Sequence, residues 1–172
     1  PLRAGALPHR RCLAGQSWDW DGVRFEVLHP PADWAGRDAV PKPNALSCVL
    51  RISTGQHAAL LAGDIEAPQE LALVARGLAP VDLLLVPHHG SKTSSSAPFL
   101  DAVQPRTALV QAGYRNRFGH PAPEVLGRYQ ERDIRVVESA RCGAATWRSV
   151  QPLQVRCERD AGRRYWQHTM AP

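Results

Sequence analysis

The chain has 172 residues, of which 44% are hydrophobic and 22% are charged, and this composition excludes a disordered or fibrous chain. Its length is that of one domain able to bury a core, and the sequence has no apolar run of about 18 residues that would span a membrane. The net charge is +5, all of it from residues 113–172, which carry 11 basic and 6 acidic side chains.

In chain order, the hydrophobic pattern predicts strands at both ends and alternating strands and helices between them. Apolar and polar residues alternate over 23–27, the period of a half-buried strand, whereas the apolar run 82–86 is typical of a strand buried on both faces. Pro68 and Gly77 mark the two ends of a helix. The complete set is a surface turn at 18–22, a strand at 23–27, a loop at 31–44, strands at 46–53 and 58–62, a helix at 67–77, a strand at 82–86, a helix at 98–103, a strand at 106–112, a helix at 123–132, a strand at 134–138 and a terminal hairpin of 144–148 with 153–159.

These elements predict an α/β (α+β) fold with a mixed sheet and a C-terminal β-hairpin, in one domain. β-α-β-α-β units occupy residues 58–138, and no linker divides the chain. Four cysteines are too few for a disulfide scaffold. Cys142 and Cys157 fall on opposite strands of the hairpin, where either a disulfide or two separate thiols fits, and a disulfide would indicate a periplasmic location.

A glycine and an aspartate follow the strand predicted at 58–62. Gly63 allows a close backbone approach, and Asp64 stands at a strand end, where α/β sheets form ligand sites. Asp64 is equally well placed to cap the helix that begins near Ala67.

Two adjacent histidines, His88 and His89, follow the buried strand at 82–86. Neutral imidazole is a common ligand of zinc and manganese. Because consecutive residues of a strand face opposite ways, we expect one of the two to be the primary ligand. The alternative is a histidine hydrogen-bonded for structural reasons, and the His-His-Gly-Ser turn favours the metal site.

Two polar segments near these residues offer hydrogen-bond donors for phosphate. The hydroxyl-rich stretch 91–96 contains Lys92, one of only two lysines, and either holds phosphate oxygens or caps the next helix. The loop 113–121 combines Arg, Asn and His with two aromatic residues, which is typical of contacts to phosphates and bases. The alternative is an exposed turn whose aromatic side chains pack back on the core.

The basic excess of the chain begins at this same loop, which favours a polyanionic partner. Part of the excess reflects a preference for arginine, which makes up 19 of the 21 basic residues. The sequence has no P-loop, G-x-G-x-x-G or G-x-S-x-G motif, so the common nucleotide-binding and serine-hydrolase patterns are absent.

Four strings of residues together resemble a known family. They are NALSCVLR at 44–51, GDIE at 63–66, VPHHGSKTSSS at 86–96 and GYRNRFGHP at 113–121. In this order they resemble the C-terminal metallo-β-lactamase-like domain of the ComEC DNA-uptake competence proteins, over roughly residues 17–168. The resemblance implies an αβ/βα sandwich with a metal centre at the strand ends.

The resemblance also implies roles for individual residues. Asp64 and His88 correspond to metal ligands, with His89 beside them, and the complete domain would hold two divalent ions, Zn or Mn. His120 would be a ligand, a proton donor or a phosphate contact, so the expected catalytic residues are Asp64, His88 and His120. The residues expected to hold the DNA backbone are Ser91, Lys92, Thr93, Asn116 and Arg117.

One hallmark of the metallo-β-lactamase fold, an H-x-H-x-D-H motif, does not occur in the sequence. The remaining histidines, none with that spacing, are His9, His29, His57 and His168. We therefore expect residues 1–172 to be the C-terminal part of one larger domain, with 1–16 as a flexible or connecting segment. Zinc sites need three or four protein ligands, and Asp64 and His88 supply two, so we expect this part alone to be inactive.

The function that the resemblance implies is a metal-dependent phosphodiesterase or nuclease domain that degrades or handles the DNA strand that is not imported. Its partners would be single- or double-stranded DNA, an upstream channel segment of the same membrane protein, and other competence proteins. We expect a soluble domain of an inner-membrane protein, periplasmic rather than cytoplasmic. The alternatives are a non-catalytic DNA-binding module of the channel and another hydrolase of the same superfamily.

Overall fold

A computed structural model describes residues 10–36 and 42–162. Within these residues, seven strands form one mixed sheet whose spatial order is their order along the chain. The strands are β1 (Ser17–Trp20), β2 (Val23–His29), β3 (Val49–Ser53), β4 (Ala58–Leu61), β5 (Leu83–Leu85), β6 (Thr107–Val110) and β7 (Arg135–Glu138). Neighbours from β1 to β4 pair antiparallel, whereas neighbours from β4 to β7 pair parallel.

Helices connect the parallel strands, as the predicted β-α-β-α-β pattern requires. They are α1 (Ala67–Ala75), α2 (Ala97–Val103) and α3 (Pro123–Gln130). Their buried side chains, such as Phe99 and Tyr129, share one core with strand residues such as Leu60 and Leu84. Because β4, β5 and β6 are parallel neighbours, their C-terminal ends meet at one edge of the sheet, which we call the carboxyl edge.

A small C-terminal unit follows the sheet. It consists of α4 (Ser139–Cys142), the antiparallel hairpin β8 (Ala145–Trp147) with β9 (Val155–Cys157), and α5 (Glu158–Ala161). The predicted fold class is confirmed: a mixed α/β structure with a C-terminal hairpin, consistent with a partial β-lactamase-like sandwich. The predicted strand 153–159 is too long, because α5 begins at Glu158.

The surface turn predicted at 18–22 is wrong. Residues Ser17–Trp20 form the edge strand β1, and the turn is only Asp21-Gly22, both with positive φ. An Asp-Gly pair between two strands is a strong hairpin signal, which the tryptophan-rich composition obscured. The strand predicted from residue 46 also begins later, at Val49, because Pro43–Leu46 forms a 3-10 turn.

Two disulfides link distant parts of the described chain, Cys142–Cys157 and Cys12–Cys48. The first joins Cys142, at the end of α4, to Cys157 in β9. This pair is therefore a disulfide and not two separate thiols. The second ties residue 12 to the segment before β3 and has no sequence signal. Backbone bonds from Ala14 N to Pro30 O, 2.8 Å, and from Gly15 N to Val27 O, 3.1 Å, also fix this end.

The connecting segment predicted at 1–16 lies partly outside the described residues, which begin at Arg10. Over 10–36 and 42–162, no helix combines the length and the apolar character needed to cross a membrane.

Candidate functional site

The three polar segments predicted at strand ends meet at the carboxyl edge. Asp64 follows β4, the two histidines follow β5, and the loop 113–121, which we call the aromatic loop, follows β6. Oδ1 of Asp64 lies 3.5 Å from Nε2 of His89, and the rings of His88 and His120 are 6.0 Å apart between centroids. The structure therefore gathers these four side chains into one cluster.

A left-handed turn presents the two adjacent histidines. His88 has φ 47°, His89 φ 56° and Gly90 φ 81°. Left-handed backbone costs a non-glycine residue about 1–2 kcal/mol, so surrounding contacts must hold the turn. The N–H of His88 donates to the carbonyl of Gly63 at 2.9 Å, and the N–H of Ser91 donates to the carbonyl of His88 at 2.9 Å. Strain of this kind clusters at functional sites.

The two imidazole rings contact different carboxylates. Nδ1 of His89 donates to the carbonyl of Gln111 at 2.7 Å, which leaves Nε2 facing Asp64. His88 instead has Nδ1 at 3.3 Å from Oε1 of Glu66. The ring beside Asp64 is that of His89, whereas the family resemblance implies His88 as the metal ligand, and that role stays a prediction.

Asn44 completes the surroundings of His88. Its Nδ2 lies 3.3 Å from Nε2 of His88, so the amide can donate to that nitrogen while Nδ1–H of His88 faces Glu66. Sequence reasoning assigned no role to Glu66 or Asn44, although both stand in the strings that carry the family resemblance. Their contacts make them site residues, because they hold the His88 ring in one orientation.

The helix-cap interpretation of Asp64 is wrong. Glu66 occupies the N-cap of α1, and its backbone N–H donates to Oε1 of Gln69 at 3.2 Å. Asp64 is held differently, since its own N–H donates to Oγ of Ser47 at 3.1 Å. Gly63, with φ 58°, is needed here because a Cβ would lie 3.1 Å from Cβ of Ser47.

The side chain of Asn116 holds the aromatic loop together by hydrogen bonds to the loop's own backbone. Its Nδ2 donates to the carbonyls of Gly113, at 3.0 Å, and His120, at 2.6 Å, while its Oδ1 accepts from the N–H of His120 at 3.0 Å. These bonds engage the amide with the loop's own backbone. Asn116 therefore shapes the loop, and its predicted contact with substrate stays a prediction.

The aromatic side chains of the loop do not pack back on the core. Tyr114 is 49% exposed and Phe118 is 66% exposed. The guanidinium of Arg115 lies 5.2 Å from the Tyr114 ring centre, and that of Arg117 lies 4.8 Å from the Phe118 ring centre. The loop thus presents two exposed arginine–aromatic pairs beside the histidine cluster.

His120, near the end of the aromatic loop, contacts both Phe118 of that loop and His88 of the histidine turn. Its ring stacks on Phe118 with centroids 5.8 Å apart and meets His88 edge-on. Burial, and to a smaller extent the nearby His88 and His89, lower the pKa of His120 below its usual value, so the ring is neutral at pH 7. Its Nδ1 is buried and has no hydrogen-bond partner among the described residues.

The hydroxyl-rich stretch contributes mainly to its own turn. Oγ of Ser91 lies 3.1 Å from Oγ1 of Thr93, and Oγ1 of Thr93 lies 3.4 Å from Nδ1 of His88. Lys92 is exposed and pairs with Glu124 of α3 at 3.2 Å. The hydroxyls of Ser91 and Thr93 therefore support the histidine turn, while Lys92 and Thr93 are both exposed to solvent.

The described residues do not by themselves fit a metal ion. Asp64 and His89 form a close pair, and Nδ1 of His120 is an unpartnered nitrogen, but His88 is already turned to Glu66 and Asn44. Over 10–36 and 42–162, no group of three or more His, Cys, Asp or Glu side chains could hold a metal. Because zinc takes three or four protein ligands, a metal here would need ligands from elsewhere.

Comparison with known proteins relates most of this chain to competence proteins. It is 39% identical over 137 residues to Competence protein ComA of Neisseria gonorrhoeae, covering 78% of this chain and 19% of that protein. It is 38% identical over 128 residues to ComE operon protein 3 of Bacillus subtilis, covering 73% of this chain and 16% of that protein. It is 38% identical over 117 residues to Recombination protein 2 of Haemophilus influenzae, covering 68% of this chain and 14% of that protein.

No protein-family model matches the chain. The chain spans less than a fifth of the length of these curated relatives. The resemblance predicted from the four strings is confirmed over this span. In its matched part, the chain belongs to the ComEC family of competence proteins.

Proposed function

We propose that this chain is part of a DNA-handling domain of a DNA-uptake protein, and that the complete domain hydrolyses phosphodiester bonds of the strand that is not imported. The main support is the cluster of Asp64 and three histidines at the carboxyl edge, beside the exposed aromatic loop. The name of one relative, Competence protein ComA, supports the uptake role.

The side chains around the cluster suit a DNA strand. Arg115 and Arg117 would bind backbone phosphates, and the exposed rings of Tyr114 and Phe118 would stack on bases. His120 is neutral, and a neutral imidazole suits proton exchange with a phosphate oxygen. A Zn or Mn ion would require ligands beyond the described residues.

The proposal also covers the cellular location of the domain and its partners. Disulfides persist in oxidising compartments, so the pairs Cys12–Cys48 and Cys142–Cys157 favour a periplasmic location. The partners we propose are DNA, a membrane-channel segment of the same longer protein, and other competence proteins.

Replacing Asp64 by alanine in the full-length natural protein should lower DNA cleavage at least about 100-fold, because its carboxylate faces Nε2 of His89 in the cluster proposed to act on DNA. The assay is degradation of end-labelled DNA with Mn²⁺ or Zn²⁺. The matched control is Asp19→Ala, which removes an exposed aspartate of β1 and should leave cleavage unchanged. Cleavage undiminished in the Asp64 variant would refute the assignment.

A second candidate is a DNA-binding module without catalysis, favoured by the lack of a three-ligand group in the described residues. It predicts that elemental analysis of the full-length protein finds no bound metal. It also predicts DNA binding that weakens steeply with salt, because phosphate contacts release counterions.

Both candidates predict that the aromatic loop contributes to single-stranded DNA affinity. Phe118→Ala should weaken binding about 5- to 100-fold, the usual loss when one stacking ring is removed. Arg117→Gln should lower the salt slope by about 1. The measurement is fluorescence anisotropy of a labelled oligonucleotide at several salt concentrations. Trp20→Ala, which removes another exposed aromatic ring, is the control, and equal losses in both variants would contradict the role of the loop.

A further inference from the structure

A polar cleft of about 460 Å³ lies at the other end of the parallel strands, away from the histidine cluster. It is bounded by the residues that precede or begin β4, β5 and β6, whereas the candidate site follows the ends of those strands. Its volume is within the range of small-ligand sites. The candidate function makes no use of this cleft.

A histidine–aspartate pair lines the cleft. Oδ2 of Asp82 accepts from Nδ1 of His57 at 3.2 Å and from the N–H of Ala58 at 3.0 Å. The backbone of Asp82 is fixed as well, because its N–H donates to the carbonyl of Ala58 at 2.8 Å and its carbonyl accepts from the N–H groups of Arg106 and Thr107 at 3.1 Å. The pair therefore holds the imidazole in one orientation, with Nε2 as its remaining polar atom.

Two arginines flank this pair and are only loosely engaged. Nε of Arg106 is 3.8 Å from Oδ1 of Asp82, and the Arg106 side chain is 62% exposed. Arg51 pairs with Glu26 through Nη1 at 3.3 Å, while its buried Nε has no hydrogen-bond partner among the described residues. A guanidinium group has five N–H donors, so Arg106 and the Nη atoms of Arg51 keep donors for a ligand, while the buried Nε of Arg51 does not contribute.

The balance of donors and acceptors points to an anion. Asp82 is the one acidic residue that lines the cleft in the part of the chain described, and His57 and Ala58 already engage its Oδ2. Donors come from Arg51, Arg106 and His57, and the amides of Gln56 and Gln104 add more. Several donors around one pocket suit the oxygens of phosphate, which guanidinium groups bind in a forked geometry.

We propose that this cleft binds a phosphate group, with Arg51, Arg106 and His57 as its ligands and Asp82 as the residue that orients His57. The phosphate has two sources with the same chemistry. It is either a terminal phosphomonoester, as on a free nucleotide, or an internal phosphodiester of a nucleic acid strand that passes the cleft.

The test is titration of the ¹⁵N-labelled chain, followed by NMR, with inorganic phosphate, 2′-deoxyadenosine 5′-monophosphate and a dinucleoside monophosphate without terminal phosphates. Saturable shifts of the backbone amides of residues 54–58, Gln104 and Arg106, with Kd below about 10 mM, are expected for at least one compound. Binding of the first two compounds alone identifies a terminal phosphate, and binding of the dinucleoside identifies a phosphodiester.

Two substitutions make this proposal falsifiable. Arg106→Gln and His57→Gln should each weaken binding about tenfold, the loss of one charge-assisted contact. Arg156→Gln, an exposed arginine of β9 outside the cleft, is the matched control and should bind like the natural chain. No saturable shift up to about 10 mM, or equal weakening in the control, overturns the proposal.

Discussion

Replacing Glu70 by alanine should lower the free energy of unfolding by about 3 kcal/mol. Glu70 of α1 is fully buried, and its carboxylate accepts the backbone N–H groups of Ser95 and, at 2.8 Å, Ser96, the residues just before α2. Alanine would leave both donors buried without a partner. Urea denaturation followed by circular dichroism measures the loss.

The matched control is Glu124→Ala, which removes an exposed glutamate of α3 and should cost less than about 1 kcal/mol. Equal costs for the two variants would contradict the role of Glu70. If the alanine variant does not fold, Glu70→Gln keeps one acceptor oxygen and should cost about 1–2 kcal/mol.

The stability of the protein should also depend on pH through Glu70. Burial raises the pKa of Glu70 above its usual 4.5, although hydrogen bonds from Ser96 and Ser95 oppose the shift. The folded state then binds the proton more tightly than the unfolded state, so this contribution to stability is complete below pH 4.5 and is lost as the pH rises through the raised pKa. The free energy of unfolding of the natural chain, relative to that of Glu70→Gln, should therefore increase as the pH is lowered. A relative free energy that decreases as the pH is lowered would contradict this prediction.

Replacing Gly90 by alanine should cost about 3 kcal/mol and displace the aromatic loop from the histidine turn. A Cβ at this position would lie 2.7 Å from Cβ and 3.0 Å from Cα of Pro121, where φ is already +81°. The carbonyl of Gly90 also accepts the N–H of Ala122 at 2.9 Å. Because Pro121 follows His120, the clash should separate the His120 and His88 rings.

Gly77→Ala is a control with nearly the same backbone. Gly77 has φ +80°, and a Cβ there would meet nothing within 4 Å, so alanine should cost only the conformational strain, about 1–2 kcal/mol. The difference between the two variants in urea denaturation isolates the contact with Pro121. A Gly90 variant no less stable than the Gly77 variant would show that the close approach is unimportant. Shifts of the His88 and His120 ring signals in NMR report the displacement.

Much of the fold could be predicted because its patterns are local. The apolar run at 82–86 and the alternation at 23–27 both mark strands that the structure contains. The positions of Asp64, His88 and His89 after predicted parallel strands placed them at one sheet edge, because parallel strands end together. The sequence pattern predicts a turn over 18–22 in place of β1, although Asp21-Gly22 is a local hairpin signal, because the two tryptophans beside it alternate with aspartates and give no apolar run.

Contacts between distant residues could not be predicted in the same way. The disulfide Cys12–Cys48 joins residues 36 apart in sequence, and only the packing of the segment before β1 against the segment before β3 brings them together. The cleft of His57 and Asp82 likewise joins the starts of two strands that are 25 residues apart. Neither pair has a spacing that a helix or a strand would reveal.

The sequence by itself determined the order of the strands and helices from β2 to β7 and the edge at which the polar residues gather, since periodicity and strand ends are properties of short segments. The four motif strings indicated the family. The tertiary structure alone decided which carboxylate each histidine meets. Three consecutive residues with positive φ turn His89 toward Asp64 and His88 toward Glu66, and no local pattern specifies that twist. It depends on the carbonyl of Gly63 and on Pro121, which belong to other strand ends that only folding brings close.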